Sequence, residues 1–155
     1  SPVTFTSLTK IRIQNRDFIL SVHEKGLSGI NPENGKEEWF TPIGGIVEKV
    51  TTPTAWGEKI LFAGIIYGCQ LIEVDENRPR VLWKSDVLQP HHSDPVVIGN
   101  YLYGYSGESS QNRGTFKCLD LRSGKAVWET KKIGWGTLIS MRRPVYCCRQ
   151  LFARF

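Results

Sequence analysis

The sequence predicts an all-β fold, a partial β-propeller of about three four-stranded antiparallel blades plus the start of a fourth. Three observations carry this expectation. A motif of strand, tight turn and return strand recurs: Cys118-Leu-Asp-Leu-Arg-Ser-Gly-Lys-Ala-Val-Trp128 is its clearest copy, and Gly29 to Trp39 and Glu73 to Trp83 are degraded ones. The closing tryptophans, Trp39, Trp83 and Trp128, stand 44 and 45 residues apart, as do Asn31, Asp75 and Asp120. A fixed period of about 40–45 residues marks a repeat architecture. The composition, with 15 glycines and 8 prolines against one methionine, suits many turns and little helix.

The first unit covers about residues 8–40. Leu8 to Ile13 alternates like a half-buried strand, Gln14 to Asp17 turns, and Phe18 to Val22 returns. A second turn, His23 to Gly26, precedes Leu27 to Ile30. Asn34-Gly35 is the strongest short hairpin signal in the chain, read as a turn whose two central residues both take positive φ. The second unit, about 51–84, has Thr51 to Trp56, a turn at Gly57, Ile60 to Ala63, Gln70 to Val74 and Val81 to Trp83. Its last turn, Asp75 to Pro79, lacks the glycine and must be built differently. The third unit, about 93–129, has Asp94 to Ile98, a turn at Gly99, Tyr101 to Tyr105, an insertion over 106–113 and then the motif itself.

Pro53 and Pro95 lie 42 residues apart, as do Gly57 and Gly99, and one step back from Gly57 is Asn15, which tolerates the left-handed conformation. A fourth unit opens at about 134–140. The next turn fails, because Met141 stands where Asn15, Gly57 and Gly99 turn. Residues 1–140 are therefore read as the propeller and 141–155 as an off-pattern basic tail. The tail is either an ordinary irregular end or a stretch in which the coding sequence has left its ancestral frame.

A four-stranded sheet of this size hides only one face by itself and must stack on copies of itself. A flat aromatic near the end of the outermost strand can cover the seam with the next blade, and Trp39, Trp83 and Trp128 are assigned that structural role. Each buries roughly 150–250 Å², an upper estimate of about 4–6 kcal/mol at about 25 cal/mol per Å². Trp56 and Trp135 fall outside this register. They join His91, His92 and Asp94 as the candidate ligand or partner surface, in loops around the first strands. His91-His92 offers base or ligand chemistry near neutral pH. No carboxylate stands at a recognisable spacing from the pair, so no catalytic residue is assigned. Asp94 before Pro95 reads most simply as a turn residue.

The formal charge of +5 is spread along the chain, apart from a basic cluster at the end, and does not point to nucleic acid. No apolar run reaches the roughly 18 residues of a membrane span, and Ser1-Pro-Val-Thr-Phe-Thr has no signal-peptide features. A start without methionine fits a processed or excised piece. Cys69, Cys118, Cys147 and Cys148 show neither CxxC spacing nor a histidine at ligand spacing, so no metal site is assigned. Cys69 and Cys118 are expected in buried strands. A bridge between Cys147 and Cys148 would need a strained ring.

With these motifs in view, the chain resembles the repeat of pyrroloquinoline-quinone (PQQ)-type β-propellers, whose blades carry an Ala-x-Asp-x-x-Thr-Gly-x-x-x-Trp docking motif. Leu119 to Trp128 matches it well, Ile30 to Trp39 matches with Asn for Asp, and the second copy matches in part; the likeness covers about residues 8–140. It is closer still to bacterial outer-membrane-biogenesis-like and polyvinyl-alcohol-dehydrogenase-like propellers. The segments Val87 to His92, Gly99 to Gly104, Phe116 to Asp120 and Gly134 to Leu138 carry that likeness.

The resemblance implies a periplasmic or otherwise exported protein and a complete ring of roughly 4–8 blades. It also implies a choice of function. One reading is a non-enzymatic propeller acting in protein binding or assembly, with a protein partner or self-association through open blade faces. A variant of it is a truncated remnant. The alternative is part of a PQQ-dependent alcohol dehydrogenase, which would need the quinone, a calcium ion and a catalytic aspartate. Some such enzymes bond adjacent cysteines beside the cofactor, but Cys147-Cys148 falls where the repeat is lost. The expectation is therefore binding or assembly without a cofactor.

Overall fold

The computed structural model describes residues 6–43, 51–91, 93–107, 114–134, 136–140 and 145–149. Their order is β1 (Thr9–Ile13), β2 (Arg16–His23), β3 (Gly26–Ile30), β4 (Glu37–Pro42), β5 (Thr54–Trp56), β6 (Lys59–Gly64), β7 (Gly68–Asp75) and β8 (Arg78–Ser85), followed by β9 (Val96–Ile98), β10 (Tyr101–Ser106), β11 (Thr115–Asp120), β12 (Lys125–Thr130), β13 (Gly136–Ser140) and β14 (Val145–Arg149). Four consecutive strands make each of three antiparallel sheets, β1 to β4, β5 to β8 and β9 to β12. β13 and β14 form a two-stranded fourth sheet. The all-β partial propeller predicted by the repeat is the fold observed.

Burial along the strands gives the stacking order. In blade one, β2 alternates, with Phe18, Leu20 and Val22 buried and their neighbours partly open. In blade two, β6 and β7 are buried on both faces over most of their length. Ile60, Phe62, Ile72 and Val74 join the blade-one cluster. Their strand neighbours Leu61, Ala63 and Leu71 join a second cluster with Leu102, Leu119 and Leu121 of blade three. Successive side chains of a strand point to opposite faces, so blade two is the filling between blades one and three. A third cluster, Tyr105, Phe116 and Leu138, begins the packing of blade three on β13.

The turns follow local chemistry. Gln14 and Asn15 (φ 48 and 61) and Glu76 and Asn77 (φ 47 and 63) each make a two-residue turn with both central residues left-handed, the geometry that matches strand twist. The second of these is how blade two builds its outer hairpin without glycine. The Asn34–Gly35 turn corrects its expectation. Of the pair, Gly35 alone has positive φ (70). Asn31 Oδ1 accepts from the Glu33 amide and Asn31 O from the Gly35 amide, both at 2.9 Å. The asparagine grips the loop two residues on, lengthening the turn, and a bulge between Gly29 and Ile30 absorbs the extra residue.

The stretch expected to be off-pattern from Met141 contains β14, whose backbone pairs with β13 in the register Leu138 with Cys147 and Thr137 with Cys148. Residues 141–144 and 150–155 lie outside the described residues.

Candidate functional site

The strand directions divide the candidate residues between the two ends of the blades. Asp94 precedes β9, at the end where connections pass from blade to blade, whereas Trp56 closes β5 at the opposite, hairpin end. His91 is half-buried in the same connection as Asp94. His92 and Trp135 lie outside the described residues. The structure therefore brings His91 and Asp94 to one end and sets Trp56 apart from them.

At the connection end, Asp94 Oδ1 accepts the Thr52 amide at 2.7 Å, tying the start of blade two to the start of blade three. The connection itself is pinned to both blades. Cys69 Sγ on β7 donates to Leu88 O at 3.2 Å, and Ser106 Oγ at the end of β10 accepts the Gln89 amide at 3.0 Å. Burial pushes the Cys69 thiol up to about 12, so at neutral pH it is a packed thiol and not a nucleophile. Cys69 and Cys118 are both buried and free.

At the hairpin end, Trp56 Nε1 donates to Gly99 O at 2.9 Å, reaching from the first hairpin of blade two to that of blade three. Gln14 holds the equivalent place in blade one. Its amide donates to Glu58 Oε1 at 3.0 Å and its side-chain Nε2 to Asp75 Oδ1 at 2.9 Å, both in blade two. An open groove of about 270 Å³ lies here, lined in part by Gln14, Glu58, Lys59, Glu73 and Asp75. Its carboxylates have structural partners. Besides the two bound by Gln14, Glu73 pairs with Arg80 at 2.7 Å and with Lys59 at 3.6 Å, and the Arg80 contact leads in holding its carboxyl below the ordinary value. No group of three or more metal-ligating side chains occurs among the described residues.

The three repeat tryptophans occupy different surroundings. Trp83 of blade two reaches blade three: its Nε1 donates to Leu121 O at 2.9 Å, and its ring lies over Gly124, where a Cβ would stand 2.9 Å from ring carbons. Trp39 is 4% exposed and lies flat over Gly29 of its own sheet, 6.0 Å from the Phe18 ring. Trp128 is 43% exposed and rests on Tyr103 and Phe116 of its own blade, with centroids 6.0 and 5.6 Å away.

Where Trp39 does not reach the next blade's turn, a polar clamp does. Arg16 Nη1 donates to Asn77 Oδ1 at 3.1 Å, Asn77 Nδ2 donates to Glu38 Oε2 at 3.3 Å, and Arg16 also pairs with Glu38. Asn31 Nδ2 completes the cluster with a 2.7 Å bond to Glu38 Oε1. That bond first, and Arg16 next, hold the Glu38 carboxyl below its usual range.

These seams are the arrangement of a stacked β-propeller, and comparison with known proteins agrees. The sequence profile of the family described as outer membrane protein assembly factor BamB matches residues 2–130. The chain belongs to this PQQ-like, BamB-like propeller family. No curated protein sequence matches it.

Among solved structures, BamB from Moraxella catarrhalis is 18% identical with a TM-score of 0.61, covering 83% of this chain and 37% of that one. Quinohemoprotein alcohol dehydrogenase from Comamonas testosteroni is 15% identical with a TM-score of 0.56, covering 73% of this chain and 19% of that one. The chain thus spans well under half the length of these relatives, and the likeness to them is one of fold. No helix among the described residues is long and apolar enough to cross a membrane.

Gln14, Arg16, Glu38 and Asn77 carry no seam signature in the sequence. The signal was the lost glycine of the second motif copy, which removes the seat for an indole and calls for another fastening.

Proposed function

We propose that the chain is a non-enzymatic propeller segment acting in protein binding or assembly. The observation that carries this reading is the open outer face of blade three. Val127 is 51% and Trp128 43% exposed on β12, whereas Trp39 of blade one is buried and Trp83 of blade two half-buried. Exposed aromatic surface of this kind is what protein interfaces use as anchors. The family's description as an assembly factor supports the same reading. The polar groups of the described loops and groove add support, since those bonded across blades serve as fastenings between sheets.

The experiment is a calorimetric titration of the chain with pyrroloquinoline quinone and Ca²⁺. No stoichiometric heat is expected. Tight one-to-one binding would overturn the proposal in favour of a quinoprotein dehydrogenase.

A further inference from the structure

We draw no further inference here: the strongest candidate, the groove at the hairpin end between blades one and two where Gln14 of blade one holds Glu58 and Asp75 of blade two, is an acidic cluster whose bonds belong to the seam already described, and nothing else in the structure points to what would bind there.

Discussion

An indole laid flat against a strand needs a floor with no side chain on it. Trp39 has one in Gly29, its cross-strand neighbour, and so folds back into its own sheet. Trp83 faces Leu71 across the strands, which denies it that floor, and its ring projects to Gly124 of the next blade. The place of a tryptophan in this repeat is therefore set by where the glycine stands. Gly29→Ala should drive a Cβ into the Trp39 ring and cost about 1–3 kcal/mol by overpacking, read as a lower midpoint in urea unfolding. Asp17 gives a second residue-scale expectation. Hydrogen bonds from Arg12 first, then Lys10, lower its carboxyl to about 2. Because the folded value lies below the ordinary 3.8, the contribution of this cluster is complete above that ordinary value and fades as pH falls toward 2. Asp17→Asn should lose that acid-dependent component while the neutral-pH fold persists, as followed by circular dichroism between pH 5 and 2.

At the scale of the element, the outer hairpins of blades one and three share one design and that of blade two another. Asn31 and Asp120 grip their loops with a side-chain oxygen and end on a left-handed glycine, while Glu76 and Asn77 make the tight two-residue turn. Without a glycine floor the second turn cannot take an indole, and Arg16 and Glu38 hold Asn77 instead. Asn77→Gly keeps the left-handed backbone and removes the clamp; Asn77→Ala removes the clamp and strains the turn. The expected order in thermal melts is wild type above Asn77→Gly above Asn77→Ala, with the clamp contributing about 1 kcal/mol and the strain about 1 more.

The repeat period, the strand order and the buried cysteines were legible because they rest on spacing and alternation. The turn at Asn34 and Gly35 was misread, because an asparagine three residues earlier captured the loop. The clamp was not legible at all, since Arg16, Glu38 and Asn77 are distant in sequence and each reads as an ordinary surface residue. Trp56 read as a surface aromatic because the partner that occupies it, the Gly99 carbonyl, belongs to the next repeat.

At the scale of the whole molecule, each four-stranded blade is a sheet completed by its neighbour. The inner strands β6 and β7 of blade two are buried on both faces over most of their length, blade one is fastened to that blade by the polar clamp and Gln14, and blade three by Trp56, Trp83 and Asp94. The outer part of blade three is left bare around Trp128, which is where partner binding is proposed.

The central claim is that a tryptophan on one blade and a glycine on the next form one fastening. A double-mutant cycle on Trp83→Ala and Gly124→Ala, measured by urea unfolding, tests it most directly. In the wild-type background Gly124→Ala meets the indole and should cost more than the backbone strain of a left-handed alanine, roughly 1 kcal/mol. With Trp83 already removed it should cost little beyond that strain, giving a coupling energy on the order of 0.5–3 kcal/mol. Costs that simply add, within about 0.3–0.5 kcal/mol, would contradict the account.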